Sequence, residues 1–218
     1  MPHTYDADVP TPEQALQRLI DGNRRFREGD HISESRISWA PKHATHRQRP
    51  FAIVLGCSDS RTPVEALFDQ GFGDLFVVRV AGNIVAPSIV GSIEFAASQF
   101  GSRLVVVMGH TQCGAISATV HAIETGMGHD SKNIRSITDR IAPHITPIVA
   151  AGDQHSSHKV VRESMRANVL ASVDHLRHGS QLLEELVQRG RLVVVGAEYE
   201  LESGTVHFFE RGGLPASA

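Results

Sequence analysis

The chain has 218 residues, of which 41% are hydrophobic and 21% charged, and a formal net charge of -3. These values are typical of a globular protein with a substantial core and exclude a disordered or fibrous chain. Lysines and arginines are scattered along the sequence, which argues against a nucleic-acid partner. No apolar run approaches the roughly 18–20 residues of a membrane span, and Met1–Pro12 lacks the apolar stretch of a secretory signal. We therefore expect a cytoplasmic protein with no membrane partner.

The first predicted element is an amphipathic helix near the N-terminus. Thr11 can cap this helix, Pro12 suits its first position, and Gln14 completes a capping-box pattern. Apolar residues then recur at helical spacing, which predicts a helical arm over about residues 11–28. An irregular polar connector with no strong periodicity is expected to follow over Asp30–Ala44.

Predicted strands alternate with predicted helices along the rest of the chain. The first, Phe51–Gly56, is a continuous apolar run, typical of a strand buried on both faces of a parallel sheet. The other predicted strands are Leu75–Val80, Leu104–Met108, Leu192–Gly196 and Val206–Glu210. The predicted helices are Ser88–Phe100, Ala115–Glu124, Ile134–Ala151 with interruptions at Pro143 and Pro147, Val160–His178 and Ser180–Arg189. This alternation predicts one α/β domain over residues 1–218, with a mostly parallel central sheet of four to five strands flanked by helices.

The only two cysteines, Cys57 and Cys113, exclude a disulfide scaffold. A single bridge between them is an alternative that a reducing cytosol disfavours. Each cysteine follows a predicted buried strand, and His110 lies close before Cys113. Ligands bind beyond the carboxyl ends of strands in open α/β sheets. If the two strands are neighbours, Cys57, Asp59, His110 and Cys113 therefore meet in one crevice.

Two thiolates and an imidazole are a donor set that suits zinc. A catalytic zinc site keeps one position open, whereas a structural site is closed by four protein ligands. The His110–Cys113 spacing is a weak signal by itself, but CSDSR at Cys57–Arg61 is more informative. Arg61 can hold Asp59 in a bidentate ion pair beside the metal. The alternative is that this pair is an ordinary salt bridge within a loop.

Five motifs, taken in order, resemble those of the β-class carbonic anhydrases, and the likeness spans roughly residues 11–210. They are CSDSR at 57–61, GDLFVVR at 73–79, AGN at 81–83, GSIEFA at 91–96 and GHTQCGA at 109–115. GAEYELESG at 196–204 looks like the family's last strand and turn. The resemblance implies a lyase, carbonate dehydratase, with one Zn²⁺ per chain. Such an enzyme converts carbon dioxide reversibly to bicarbonate and a proton by means of metal-bound hydroxide.

The resemblance also implies roles for the residues around the metal. Cys57, His110 and Cys113 would be the permanent zinc ligands. Asp59 would be either a fourth ligand in a closed, inactive state or the group that orients the hydroxide, with Arg61 as its partner. We expect a pH switch, in which Asp59 binds zinc at low pH and moves to Arg61 at higher pH.

Other positions match the family's substrate cleft. Gln48 stands where the family has a glutamine that donates a hydrogen bond to substrate. Val54 replaces the tryptophan that marks a non-catalytic bicarbonate pocket in one subset, so we do not expect that form of inhibition. The remaining matched cleft positions are Phe76, Ala81, Gly114 and Phe95, the last of which is a tyrosine in many relatives.

The family builds its cleft at a dimer interface from both protomers, with an N-terminal arm that wraps the neighbour. The resemblance therefore predicts a homodimer or a tetramer of dimers. One alternative function is hydrolysis of carbonyl sulfide or carbon disulfide on the same scaffold. Another is a catalytically silent, zinc-stabilised binding module. Gln48 argues against the first alternative, and the Asp59–Arg61 pair argues against the second.

Overall fold

The computed structural model describes residues 9–32, 48–152 and 157–214. Its centre is one five-stranded sheet in the order β2-β1-β3-β4-β5. The strands are β1 (Ala52–Gly56), β2 (Leu75–Arg79), β3 (Leu104–His110), β4 (Val193–Glu200) and β5 (Thr205–Glu210). The first four strands are parallel, and β5 pairs antiparallel with β4. This arrangement confirms the predicted fold class.

The described ranges contain seven α-helices and one 3₁₀ turn, Ala81–Asn83. The helices are α1 (Pro12–Glu28), α2 (Val64–Leu67), α3 (Pro87–Phe100), α4 (Gly114–Thr125), α5 (Lys132–Ala150), α6 (Ser157–His178) and α7 (Gln181–Gln188). The capping box at the start of α1 is formed as predicted. The short α2 and the 3₁₀ turn had no periodic signal and were not predicted. None of the described helices combines the length and apolarity that crossing a membrane requires.

The predicted interruptions of α5 were wrong. The helix runs unbroken through Pro143 and Pro147, both of which lie on its exposed side. Each proline removes one N–H donor from the helical ladder. The carbonyl left without that donor lies near the same solvent-facing side, where water can replace the lost bond.

Both faces of the sheet are buried, and the side chains of each strand alternate between them. The larger core lies between the sheet and helices α3 to α7, and the strand residues that face it include Ile53, Leu55, Val105 and Val107. The second core lies between the other face of the sheet and helices α1 and α2, and it is faced by Ala52, Val54, Leu104 and Val106. Two buried faces explain why the central strands are continuous apolar runs instead of alternating ones.

The register of the parallel strands determines where the site lies. Gly56, the last residue of β1, is level with Arg79 of β2 and Met108 of β3. The residue after β1 and the last residues of β3 therefore lie together at the carboxyl edge of the sheet, where the parallel strands end. The segment before β1 lies at the opposite, amino edge, where the Phe51 N–H donates to the Asp74 carbonyl at 2.9 Å. Of the predicted connector Asp30–Ala44, residues 33–44 lie outside the described ranges.

Candidate metal centre

The side chains of Cys57, His110 and Cys113 converge at the carboxyl edge of the sheet. One ligand atom from each lies within 4.8 Å of the other two. All three residues are at most 5% exposed. The two sulfurs are 4.0 Å apart, and both cysteines are free. Adjacent strands β1 and β3 thus bring together the residues that the sequence placed in one crevice.

The ring of His110 is fixed in the orientation of a metal ligand. Its Nδ1 lies 2.9 Å from the carbonyl oxygen of Thr111. A carbonyl can only accept, so in the neutral ring Nδ1 carries the proton and Nε2 has a free lone pair. Nε2 is buried and has no hydrogen-bond partner among the residues that the structure describes. A buried lone pair beside two sulfurs fits a bound cation, and a carbonyl that fixes the tautomer is the usual support for a metal-ligating histidine.

The two thiols share their protons unequally. The hydrogen bond from Cys113 holds the pKa of Cys57 well below its ordinary value, backbone N–H donors lower it further, and burial opposes both effects. The same interaction and burial raise the pKa of Cys113 far above its ordinary value. The direction of these two shifts favours the thiolate at Cys57, and a bound cation would favour the second thiolate. These residues fit a metal that prefers thiolate and imidazole in a tetrahedral shell.

Asp59 lies beside this cluster and is held by Arg61. The Nε and Nη2 atoms of Arg61 donate to the two carboxylate oxygens at 2.9 and 2.8 Å, and the backbone N–H of Arg61 donates to Oδ1 at 2.9 Å. These bonds hold the pKa of Asp59 well below its usual range. Oδ2 is also 3.9 Å from His110 Nε2. The carboxylate is thus ionised and next to the free lone pair of the histidine.

A backbone donor supports the Cys57 sulfur. The N–H of Gly82 lies 3.4 Å from Sγ, and Asn168 on α6 donates to the carbonyl of Gly82 at 2.8 Å. Gly82 has a φ of 67°, in the left-handed region. Neither residue was among the predicted site residues. The AGN motif contains Gly82, but the 86-residue separation from Asn168 leaves no local signal.

Gly82→Ala is expected to destabilise the protein by about 2–4 kcal/mol. The substitution puts a side chain in a left-handed conformation and overpacks the core. The new Cβ would lie 2.9 Å from Cδ1 of Ile141 and 3.1 Å from Cβ of Ala115. Urea unfolding monitored by circular dichroism measures this change. Gly91→Ala is the control, because no heavy atom beyond its chain neighbours and the backbone of its own helix lies within 4 Å of the new Cβ. That helical substitution should be neutral or stabilise by up to about 1 kcal/mol. Equal effects of the two substitutions would contradict the prediction.

The predicted cleft residues fall into two groups. Ala81 directly precedes Gly82, and Gly114 begins α4 directly after Cys113, so both lie beside the cluster. Gln48 is exposed, and its Cα lies 3.8 Å from a Cβ built on Gly73, before the start of β2. This position is at the opposite edge of the sheet from Cys57.

Phe76 and Phe95 also lie away from the metal cluster of their own chain. Phe76 is the second residue of the edge strand β2, level with Ile53 near the start of β1. Its ring packs 6.5 Å from that of Phe95 and 6.0 Å from that of Phe100. Phe95 is 51% exposed. The structure therefore does not bring Gln48, Phe76 and Phe95 to the metal centre within one chain.

A sequence model of the family described as "Carbonic anhydrase" matches residues 52–206, more than half of the chain. The chain belongs to the β-class carbonic anhydrase family. A carbonic anhydrase of Mycolicibacterium smegmatis is 37% identical over 195 residues, covering 89% of this chain and 92% of that protein. Carbonic anhydrase 2 of Mycobacterium tuberculosis is 36% identical, covering 88% and 90%. The family confirms the enzyme class predicted from the motifs.

Solved structures of β-carbonic anhydrases share the fold. One from Aspergillus fumigatus superposes with a TM-score of 0.71 at 23% identity, covering 92% of each chain. One of two from Sordaria macrospora, described as tetrameric, has a TM-score of 0.67 at 22% identity and covers 93% of this chain and 98% of that one. The predicted carbonic anhydrase fold is thus confirmed over nearly the whole chain.

Proposed function

We propose that the protein hydrates carbon dioxide reversibly to bicarbonate and a proton, with one Zn²⁺ held by Cys57, His110 and Cys113. The observation that carries the proposal is the buried two-thiol, one-imidazole cluster with an ionised carboxylate beside it. Three protein ligands leave one position open, as catalytic zinc sites require. When bound, zinc supplies the Lewis acidity that lowers the pKa of water from about 15.7 towards 7.

The protein's own residues would orient the reaction. The carboxylate of Asp59 lies next to His110 Nε2, where it can accept a hydrogen bond from the attacking water. This bond would orient the water so that a lone pair of the water oxygen points at the substrate carbon. Arg61 holds both carboxylate oxygens and keeps Asp59 ionised. In many enzymes such preorganised donors and acceptors make the largest single contribution to the rate enhancement.

We further propose that a second copy of the chain completes the cleft. Gln48 is separated from Cys57 by the length of β1, so its side chain would serve a neighbouring metal centre and not its own. Phe76 and the exposed Phe95 also lie away from their own cluster. A homodimer, alone or within a tetramer, would place Gln48 to stabilise charge developing on a substrate oxygen. Gln48→Ala should then lower turnover without changing the zinc content.

Stopped-flow hydration of carbon dioxide, with zinc measured on the same sample, tests the proposed function. Rapid hydration with about one zinc per chain is the expected result. Full zinc occupancy without hydration at any pH would contradict it. Carbonyl sulfide would then be the next substrate, and inactivity towards both would favour the silent binding module.

A further inference from the structure

Arg79, the last residue of β2, contacts the backbone of the loop that carries Cys57 and Asp59. Its Nε donates to the Cys57 carbonyl at 2.9 Å, and its Nη2 donates to the Asp59 carbonyl at 2.6 Å. The parallel register explains this reach, because Arg79 is level with Gly56, the residue before Cys57. One guanidinium thus joins the backbone carbonyl of the first metal ligand to that of the residue that carries the carboxylate.

Thr62 supports the same two carbonyls from the interior. Its hydroxyl lies 3.2 Å from the Cys57 carbonyl and 2.9 Å from the Asp59 carbonyl, and it lies 3.3 Å from Arg79 Nη2. The Thr62 N–H also donates to the Asp59 carbonyl, at 3.1 Å. Thr62 is buried, whereas Arg79 is exposed. The loop is therefore held from both sides, through its backbone and not through the Asp59 side chain.

Arg61 and Arg79 bind different groups of the loop that carries Cys57 and Asp59. Arg61 binds the carboxylate of Asp59, and Arg79 binds the peptide groups from which Asp59 and Cys57 project. A carboxylate can be directed at a substrate only if its backbone is also fixed. Two divergent N–H donors on a planar group suit two carbonyls on one loop, whereas a lysine ammonium cannot reproduce that fork.

We propose that Arg79 is a positioning residue, which fixes the Cys57–Asp59 backbone and thereby the first thiolate ligand and the catalytic carboxylate. The metal-binding part of the inference follows from the cluster alone. The part that concerns turnover rests on the proposed hydration of carbon dioxide.

Arg79→Gln and Arg79→Lys test this role against Arg189→Gln, a control on an exposed arginine that pairs with Glu185. Zinc affinity is measured on metal-free protein by chelator competition, and the visible spectrum is recorded on Co²⁺-substituted protein.

We expect Arg79→Gln to weaken zinc binding or lower kcat about 10–100-fold, which is the usual effect of mutating a residue that supports a metal ligand. KM should change little, the cobalt bands should shift, and thermal unfolding should stay near that of the wild type. Arg79→Lys should restore only part of the loss, and Arg189→Gln should match the wild type.

Unchanged zinc affinity, cobalt spectrum and kcat in Arg79→Gln would overturn the proposal. So would losses that parallel a lower unfolding temperature and recover fully at reduced temperature, because they would reflect folding alone. If Arg79→Gln does not fold, Arg79→Lys is judged by the same criteria. If the wild type fails to hydrate carbon dioxide, the proposed function fails, while affinity and spectrum still decide the role of Arg79.

Discussion

Cys57→Ala is expected to abolish zinc binding and to reduce carbon dioxide hydration to the uncatalysed rate. The variant keeps one thiol and one imidazole, which is one ligand fewer than the known catalytic zinc sites have. A ligand that binds only the folded state also stabilises the protein, by an amount that grows with the logarithm of the ratio of ligand concentration to Kd. Added zinc should therefore raise the unfolding temperature of metal-free wild type and leave that of Cys57→Ala unchanged. Metal analysis, stopped-flow hydration and a thermal melt with and without zinc measure these effects.

His121→Ala is the matched control for this experiment. His121 lies on α4, the helix that follows Cys113, and its side chain is exposed. This variant should retain one zinc per chain and full activity. Retention of stoichiometric zinc and of hydration in Cys57→Ala would show that the buried cluster is not the metal centre.

The central strands could be predicted because each is a short apolar run buried on both faces. Their ends were less predictable, and β4 shows why. The predicted strand stopped at Gly196, whereas β4 continues to Glu200. Glu198 lies within this extension and is fully buried. Arg162 and Arg166 of α6 donate to its two carboxylate oxygens at 2.6 and 2.7 Å. A buried charge requires such partners, and only the fold reveals them.

The metal cluster was predictable for a related reason. Its three ligands lie at or just after the ends of two buried strands, and the parallel sheet brings those strand ends together. The supporting contacts depend instead on side chains from distant elements. Asn168 reaches Gly82 from α6, and the fork of Arg79 reaches two carbonyls that carry no residue-specific signal. Such contacts follow from strand register and helix packing, which the sequence does not specify locally.

Asp59→Asn is expected to lower kcat by about 10²–10³-fold, the range found when one preorganised hydrogen-bonding group is removed from an active site. The amide cannot supply two ionised oxygens to Arg61, and its NH₂ group can present a donor where the water needs an acceptor. Zinc content should stay near that of the wild type, because Cys57, His110 and Cys113 are intact. Arg61→Gln should have a smaller effect, because the carboxylate remains but loses its bidentate support. Stopped-flow hydration across a pH series measures both variants.

The Asp59–Arg61 pair should make the free energy of unfolding depend on pH. In the folded protein the hydrogen bonds from Arg61 lower the pKa of Asp59, so the pair stabilises the fold above the unfolded pKa of about 3.9. The stability advantage of the wild type over Arg61→Gln should be present at neutral pH and disappear as the pH falls below about 4. Arg61 is 48% exposed, so this advantage should be small.

The activity profile tests the proposed switch separately. Removing Arg61 takes away the group that competes with the metal for Asp59. Hydration by Arg61→Gln should therefore rise with pH later than hydration by the wild type. Arg61→Lys keeps the charge without the fork and should give an intermediate profile. A wild-type profile that is flat from mildly acid to alkaline pH would contradict the switch, and Asp59 would then act only as a fixed acceptor. Near-wild-type turnover in Asp59→Asn would contradict even that role.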